Sequence, residues 1–464
     1  MEPNASTAPT VMNKIVNFEY RTLETCKAQN EFNSILDSDD RGEIFMFFFN
    51  LIIKVVVSLI SYVLEYILVI IAAVILVFIV YVIYKSYWSP VLYVKELTDI
   101  GFEHIKGANR DVRITRAQSA RRLGSKLPPP YPNGWFCVAE SRDLKVGGVK
   151  AVDVLGQNLC VYRGEDGIAR CVDAYCPHLG ANLAVGGSVC GSCIECPFHK
   201  WRFGETGACV AVPGQDTPRG VAIRTWTTTE GEGGVWIWHD AENRTPLWEF
   251  QASTACKQWR YRGRNEFIVN SHIQDIPENG ADVAHLNAVH SPSLFSNLGE
   301  KYPFLLNIIG RHTWAAEWVK GDDHTAEMRL THDYKFGKYG IFHMDVVASQ
   351  IGPGHVRLHL NTPVGSVVIS QSVTPLSALQ QRVVHRFYSP FYNAPIAALF
   401  VAGESYMFER DIVIWNNKRF ISNPAYVRLD KTIRNFRNWY SQFYTESSTT
   451  FKDAFMRQTN PLDW

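Results

Sequence analysis

The chain has 464 residues and a formal net charge of +1, with 46 Lys and Arg against 45 Asp and Glu. It contains neither a basic block nor a charge excess, and this excludes the electrostatic signature of a nucleic-acid-binding protein. At this length, and with 46% hydrophobic residues, the chain can form two or three domains that each bury a core.

The first predicted element is a membrane-spanning helix. Residues 66–84 are 19 consecutive positions without a charged side chain, and a helix needs about 20 such residues to cross a bilayer. The segment is too long and too far from the N-terminus for a cleaved signal peptide. The preceding apolar run, 44–60, contains Lys54 and is interpreted as a second span, an interfacial helix or an extension of the first. We therefore predict a membrane anchor over 44–85 with one or two spans.

Basic residues that flank this anchor predict its orientation. Nine Lys or Arg lie within 85–126, whereas the N-terminal segment, 1–43, has four Lys or Arg against eight acids. The positive-inside rule places the large C-terminal part in the cytosol. We expect the membrane to be that of the endoplasmic reticulum.

A small β-domain follows the anchor. The proline-rich stretch LPPPYPNGW, 127–135, is interpreted as the end of a linker region that covers 86–128. Short alternating runs broken by glycine, among them KAVDVLG and NLCVYRGEDG, predict an antiparallel β-domain over 129–245. The segment CPHLGANLAVGGSVCGSCIECPFHKW, 176–201, lies inside this domain, so we expect its side chains on loops at one end.

This segment contains a dense group of potential metal ligands. Five of the ten cysteines fall within the 26 residues 171–196, four of them in this segment, which favours metal binding in a reducing compartment over a secreted disulfide framework. A structural zinc would use the pattern C-x2-C-x2-C-x2-H, formed by Cys190, Cys193, Cys196 and His199. A [2Fe–2S] cluster with Cys on one iron and His on the other would use one thiolate and one imidazole from each of two loops: Cys176, His178, Cys196 and His199. The repeated proline in CPH and CPFH favours the cluster.

With these motifs, the segment from Trp135 to about Trp238 resembles a Rieske iron–sulfur domain, including HKWRF where that family often has His-Gly-Trp-x-Phe. Rieske proteins of respiratory complexes have a further cysteine in each ligand loop, and the two form a disulfide. This chain has Ala181 and Phe198 at the matching places. The resemblance is therefore to the oxygenase or ferredoxin type.

A second metal site is predicted in DIPENGADVAHLNAVH, 275–290. On a helix Asp282 and His285 are one turn apart, close enough for a hydrogen bond to the imidazole. His290 lies about 140° round from His285, so the helix must loosen or the metal must sit beside its end. Two imidazoles and one carboxylate form the facial triad of non-haem Fe(II) oxygenases, which leaves positions open for O2.

Rieske oxygenase α-subunits have such a D-x2-H-x4-H helix after the Rieske domain, and this sequence is similar to it at every motif position. The resemblance implies a mononuclear Fe(2+) bound by His285, His290 and a downstream carboxylate. In FERDIVIWNNKRF, 408–420, the matching acid is Asp411, with Glu409 as the alternative.

The resemblance also gives Asp282 a role other than iron binding. In similar enzymes the matching aspartate joins the iron-bound histidine, here His285, to a Rieske histidine of the neighbouring subunit, here His199. This implies a head-to-tail ring, usually a homotrimer in the family.

The catalytic domain is expected over 246–464. Alternating strands dominate 310–389, with the iron helix before them and the Asp411 helix after them. A C-terminal helix is predicted to direct Leu429, Ile433, Phe436, Tyr440 and Phe443 to one face. The resemblance implies a curved sheet that grips a long helix around a deep apolar cavity. The predicted fold is an N-terminal transmembrane helix, an all-β Rieske domain and an α+β helix-grip (START-like) catalytic domain.

The order of anchor, linker, Rieske domain and iron domain resembles the Neverland-type cholesterol 7-desaturases, and DIVIWNNK is similar to bacterial 3-ketosteroid 9α-hydroxylases. The implied reaction converts cholesterol, O2 and two electrons to 7-dehydrocholesterol and water, in steroid hormone synthesis. No Gly-x-Gly-x-x-Gly follows a strand, so a separate NAD(P)H-dependent reductase is expected to supply the electrons.

Other functions stay open at this point. A sterol hydroxylase of the 3-ketosteroid 9α-hydroxylase type begins with the same hydrogen abstraction. Rieske oxygenases of chlorophyll catabolites or choline have the same metals with another substrate. A Rieske electron-transfer protein without catalysis would not need His285, His290 or Asp411.

Overall fold

The structure is a computed structural model, and the residues that it describes are 41–120, 127–292, 310–336 and 339–454. The chain divides into two compact units, Met1–Val82 and Ile83–Trp464. Most of the predicted N-terminal segment, 1–43, therefore lies outside the described residues.

The first described element is a single helix, α1, Arg41–Trp88. Its 48 residues extend about 70 Å, which is more than twice the thickness of the hydrocarbon core of a bilayer, about 30 Å. Within the described ranges, α1 is the one helix that is long and apolar enough to cross a membrane. It continues without a break through 61–65, so it does not form the turn that two spans would need. The helix is consistent with a single-pass anchor.

The region 86–128, predicted as a linker, contains regular structure. It holds β1, Val91–Lys95, and α2, Arg110–Ala120. Three apolar side chains form a small buried cluster of their own: Phe102, Ile105 and Ile114. The proline-rich composition near its end gave no indication of these elements.

An all-β domain follows, as predicted. Its strands are β2 (Gly134–Glu140), β3 (Val149–Val154), β4 (Gln157–Arg163), β5 (Ala169–Asp173), β6 (Ser188–Cys190), β7 (Cys193–Glu195), β8 (Arg202–Phe203), β9 (Cys209–Ala211), β10 (Thr225–Trp226), β11 (Thr228–Gly231) and β12 (Gly234–His239). They form three antiparallel sheets with the orders β10-β5-β4-β3, β11-β12-β2 and β6-β7-β8-β9. The third sheet carries one of the two cysteine–histidine loops.

The second domain combines a large sheet with helices. Its elements are α3 (Thr254–Gln258), β13 (Arg260–Val269), α4 (Asp275–Glu278), α5 (Val283–Val289), β14 (Arg311–Lys320), β15 (Thr325–Phe336), β16 (Tyr339–Ile351), β17 (His355–Thr362), β18 (Gly365–Ser377), β19 (Gln380–Ser389), α6 (Ala394–Trp415) and α7 (Lys431–Tyr440). The eight-stranded sheet has the order β1-β13-β19-β18-β17-β16-β15-β14. Neighbouring strands are antiparallel except for β1 and β13, which are parallel.

Strand β1 extends this sheet because a glycine lies opposite it. Val91 pairs with Gly263, whose φ is 147°. A Cβ atom at Gly263 would lie 2.1 Å from the carbonyl oxygen of Val91. A side chain there would therefore prevent the pairing.

The sheet grips α6. This 22-residue helix packs against β1, β13 and β19. Its buried side chains join the two main cores of the unit; they include Val401, Phe408 and Ile412. A long helix held against a large, mostly antiparallel sheet agrees with the helix-grip arrangement that the resemblance implied.

Buried ion pairs connect the all-β domain to this sheet. Arg386 on β19 donates from Nη2 and Nε to the two carboxylate oxygens of Glu140 on β2, at 2.6 and 2.8 Å. Neither side chain is more than 1% exposed. Glu232, in the turn between β11 and β12, similarly contacts His355 and Arg357 on β17.

Candidate metal centres and cavity

Two loops of the all-β domain bring together the cysteine and histidine pairs. One loop follows β5 and carries Cys176 and His178; the other follows β7 and carries Cys196 and His199. Each loop is closed by a hydrogen bond that the main-chain N–H of its cysteine donates. The N–H of Cys176 donates to the carbonyl of Ala181 (2.9 Å), and the N–H of Cys196 donates to that of Trp201 (2.8 Å).

The thiols lie inside and the imidazoles outside. Cys176 and Cys196 are buried, whereas His178 is exposed and His199 is half-buried. Burial raises the pKa of the Cys176 thiol, while the N–H groups of His178 and Leu179 lower it and the adjacent Cys196 thiol raises it. The imidazole rings of His178 and His199 are 4.7 Å apart.

This arrangement fits a two-iron cluster. Two buried sulfurs are grouped on one side and two accessible imidazoles on the other, and main-chain N–H groups are directed at the Cys176 sulfur, which would stabilise a thiolate. The zinc pattern finds less support. Cys190 lies on β6, and its Sγ is 3.6 Å from the carboxylate of Glu195, whereas the thiol of Cys196 faces Cys176.

The second predicted site is also assembled. One ligand atom from each of His285, His290 and Asp411 lies within 4.8 Å of the other two. Nε2 of His290 is 3.2 Å from Oδ1 of Asp411. Among the described residues, however, neither Oδ1 of Asp411 nor Nδ1 of His290 has a hydrogen-bond partner of acceptable geometry. Unsatisfied buried polar atoms of this kind fit a site that binds a metal ion.

The end of α5 explains the spacing of the two histidines. His285 lies within α5, and His290 is the residue that caps its C-terminus, with φ −104° and ψ 2°. Their rings are 5.3 Å apart and nearly perpendicular. The helix therefore ends before His290. This agrees with the angle of about 140° between His285 and His290 around a regular helix, which required the helix to loosen or the metal to lie beside its end.

Of the two acids on α6 that the sequence offered as the third iron ligand, Asp411 faces the histidines. Glu409 accepts a hydrogen bond from the hydroxyl of Tyr93 on β1 instead. Burial, followed by this hydrogen bond, raises the pKa of Tyr93 to about 12. Residues two apart on a helix point in different directions, so Glu409 cannot join the same group.

Asp282 differs from the prediction in what it contacts. It precedes the first residue of α5, and its carboxylate accepts a hydrogen bond from the main-chain N–H of His285 (3.2 Å). Nδ1 of the His285 ring contacts the main-chain carbonyl of Asp282 rather than its carboxylate. The physical reason is that a residue at the N-cap satisfies helix N–H groups with its side chain. Its carbonyl then fixes the imidazole tautomer that leaves Nε2 free for a metal.

A cavity of about 250 Å³ adjoins His285, His290 and Asp411. Its apolar lining includes Ile276, Leu286, Trp314, Trp318, Met328, Leu330, Leu358, Met407, Phe408 and Trp415. Beyond the triad, its polar side chains include Asn279, Gln350, Gln371, His385 and Glu404. The sequence analysis missed His385 and Glu404, although the spacing of seven residues between Glu404 and Asp411 predicts a shared helix face.

Comparison with known families agrees with this architecture. Residues 134–227 match the Rieske [2Fe-2S] domain, and residues 237–444 match the 3-ketosteroid 9alpha-hydroxylase C-terminal domain. The structure of NdmA of Pseudomonas putida CBB5 with caffeine is similar in fold, with a TM-score of 0.52 and 18% identity over 68% of this chain and 94% of that chain. A Rieske domain followed by a histidine–carboxylate iron site defines a Rieske non-haem iron oxygenase.

Two relatives specify the family. The cholesterol 7-desaturase nvd of Bombyx mori is 64% identical over 406 residues, which cover 87% of this chain and 89% of that protein. The cholesterol 7-desaturase nvd of Drosophila melanogaster is 42% identical over 338 residues, or 71% and 79% of the two chains. The chain belongs to the cholesterol 7-desaturase family of Rieske oxygenases, and it is an oxidoreductase with a [2Fe–2S] cluster and a mononuclear iron. This confirms the predicted class, fold and cofactors.

Proposed function

We propose that this protein introduces the 7,8 double bond of cholesterol and so forms 7-dehydrocholesterol. For each sterol, O2 takes up two electrons from a reductase and two protons, and the two hydrogens removed from the sterol complete two molecules of water. The observation that carries the proposal is a histidine–carboxylate triad at an apolar cavity in a chain 64% identical to a cholesterol 7-desaturase. An apolar wall suits the rings of a sterol.

In this proposal the cluster is held by Cys176, His178, Cys196 and His199. The buried thiols and the main-chain N–H groups directed at Cys176 support it. A bound cluster supplies single electrons. The exposed edge of His178 gives a reductase access to the imidazole side, and the stacking of His178 on Trp201 (4.4 Å) holds that ring in place.

The mononuclear iron is held by His285, His290 and Asp411. Three protein ligands on one face leave positions for O2 activation beside the substrate. His285 is oriented by the carbonyl of Asp282. With substrate in the cavity, the tryptophans of the lining would keep bulk water from the reacting carbon.

Asp282 transfers electrons between subunits in this proposal, and the enzyme is a homotrimer. Asp282 is half-buried within one chain, so its side chain remains accessible to a neighbour that presents His199. Two inactive variants, Cys176→Ser and His285→Ala, should then recover part of the activity when they assemble together. If the mixed assembly is verified and no activity returns, electrons do not cross between subunits.

We also propose that the anchor lies in the membrane of the endoplasmic reticulum and that the catalytic unit is cytosolic. Support comes from the nine basic residues within 85–126 against four within 1–43. A sterol substrate partitions into the same membrane.

The test uses membranes that contain the full chain, a Rieske reductase, NAD(P)H and isotope-labelled cholesterol. We expect labelled 7-dehydrocholesterol by mass spectrometry, and none from Asp411→Ala. Glu409→Ala, on the same helix, should keep its iron and form product. A hydroxylated sterol as the main product would identify a hydroxylase. An iron content of two per chain, in place of three, would identify an electron carrier.

A further inference from the structure

The cavity has a polar group on its wall in addition to the iron ligands. His385 on β19 and Glu404 on α6 both line it, and Nδ1 of His385 is 2.8 Å from Oε1 of Glu404. On the far side Asn265 of β13 donates its side-chain amide to Glu404, and to Ser405 at 3.1 Å. Three elements therefore hold one carboxyl group at the cavity.

This group has hydrogen-bonding capacity left over. The side chain of His385 is only 3% exposed, yet neither Nε2 nor Nδ1, although Nδ1 is 2.8 Å from Glu404, has a hydrogen-bond partner of acceptable geometry in the part of the chain that the structure describes. Glu404 is also partly accessible, at 24% of its side chain. Buried polar atoms are normally satisfied, so an unsatisfied ring nitrogen beside a cavity indicates a polar atom of a ligand.

The distance from this group to the iron ligands follows from α6. Glu404 and Asp411 are seven residues apart, which is about two turns and roughly 10 Å along the axis, on nearly the same face. Both face the cavity. A ligand that contacts both therefore needs a polar atom several ångströms from its reacting carbon.

A sterol meets this requirement. Its only polar atom is the 3β-hydroxyl oxygen at the end of the ring system, roughly 6 Å from C7 for single bonds of ordinary length. This distance is shorter than the roughly 10 Å between Glu404 and Asp411 along α6. The difference leaves a few ångströms for the hydrogen bond at the hydroxyl and for the approach of C7 to the iron.

We propose that Glu404 and His385 bind the 3β-hydroxyl of the sterol and thereby place C7 beside the iron, an inference that rests on the proposed function. The carboxylate of Glu404 accepts the hydroxyl hydrogen. His385, whose Nδ1 lies 2.8 Å from that carboxylate, gives the hydroxyl oxygen a second partner at Nε2. Asn265 is a positioning residue, since it contacts Glu404 and not the cavity.

The chemistry of the carboxylate predicts a preference between steroids. A 3β-hydroxyl donates a hydrogen to a carboxylate, whereas a 3-keto oxygen has no hydrogen to donate and meets a negative charge. The site therefore favours 3β-hydroxysterols over 3-ketosteroids. Glu404→Gln introduces an amide N–H, which reduces the repulsion of a ketone.

The first experiment compares two substrates with the membrane-bound wild-type enzyme and its reductase: cholesterol and cholest-5-ene, which lacks the hydroxyl. We expect kcat/KM to be at least about tenfold higher for cholesterol, because a hydrogen bond to a charged group is lost with cholest-5-ene. Equal values would overturn the proposal even if no variant folds. Absence of any 7-dehydrocholesterol from cholesterol would instead contradict the proposed function.

The second experiment uses variants. Glu404→Leu should lower kcat/KM for cholesterol at least about tenfold, mainly by raising KM. The same variant should change kcat/KM for cholest-5-ene less than about twofold. Glu409→Leu is the matched control, because it removes a carboxylate from the same helix outside the cavity. Glu404→Gln should be inhibited by cholest-4-en-3-one at lower concentrations than the wild type. If Glu404→Leu lowered kcat/KM equally for both substrates, the role of Glu404 would be structural, and the proposal would be overturned.

Discussion

The ion pair between Glu140 and Arg386 connects the Rieske domain to the catalytic sheet, and its loss is expected to destabilise the protein strongly. Glu140 is also near Arg382 (3.4 Å) and Arg264 (3.8 Å), so three arginines surround one carboxylate. Glu140→Gln keeps the size of the side chain and removes its charge. The change leaves Arg386, which is fully buried, without its counter-charge.

Two arguments give the size of this effect. Removing one partner of a buried ion pair costs about 3–5 kcal/mol, because the other charge stays buried. The pKa of Glu140 gives a second value. Burial acts to raise this pKa, but Arg386, Arg382 and Arg264 outweigh burial and lower it from 4.5 to about 2. That shift corresponds to about 3 kcal/mol of stability when the carboxyl is ionised.

The pH dependence provides the assay. Because the pKa of Glu140 is lower in the folded protein than in the unfolded chain, its contribution is complete above pH 4.5 and is lost as the pH falls from 4.5 towards 2. Thermal unfolding of the full chain should therefore show a large difference between wild type and Glu140→Gln at pH 7, and a smaller one at pH 3. Glu230→Gln is the control, since Glu230 pairs with Arg163 near the surface and should cost less than about 1 kcal/mol. Equal, small effects of both substitutions would refute the reasoning.

Three further predictions concern electron transfer, the cluster and the anchor. Asp282→Asn should still bind iron and allow the cluster to be reduced, with a large loss of sterol turnover, whereas His285→Ala should lose the mononuclear iron; metal analysis with single-turnover kinetics separates the two. Cys176→Ser should abolish the electron paramagnetic resonance signal of the reduced cluster and Cys190→Ser should preserve it, and equal loss would revive the zinc interpretation. Deletion of residues 1–85 should release the protein from membranes with both metal sites loaded. Protection of the C-terminus from protease in sealed microsomes would reverse the predicted orientation.

The structure groups the side chains of both predicted metal sites, and the sequence could specify them because their chemistry restricts residue type and spacing together. A reader of the sequence can recognise two such patterns without knowing any long-range contact: the pair C-x-H and C-x2-H, and the series D-x2-H-x4-H. Asp411 was found by its place before an apolar run, and the structure brings it to the two histidines. The role of the Asp282 carboxylate was less predictable, because its contact depends on α5 beginning at Val283.

Long-range pairing and helix boundaries were predicted less well. Strand β1 joins the sheet beside β13, which lies far along the chain, and only a glycine opposite it indicates the contact. Periodicity correctly placed Phe436, Tyr440 and Phe443 in the core. It failed for Leu429, which is 79% exposed because α7 begins only at Lys431.

The site for the 3β-hydroxyl has no sequence motif, and the reason is geometric. His385 is supplied by a strand and Glu404 by a helix, so that only the packing of α6 on the sheet brings them together. The same helix carries Asp411. The separation between the hydroxyl site and the iron is then set by the pitch of a helix that packs on the sheet. A helix holds such groups more rigidly than a loop does. Since the sterol rings are also rigid, fixing the oxygen at C3 determines which carbon faces the iron. The position of oxidation is therefore expected to depend on Glu404 as well as on the residues that bind the metal.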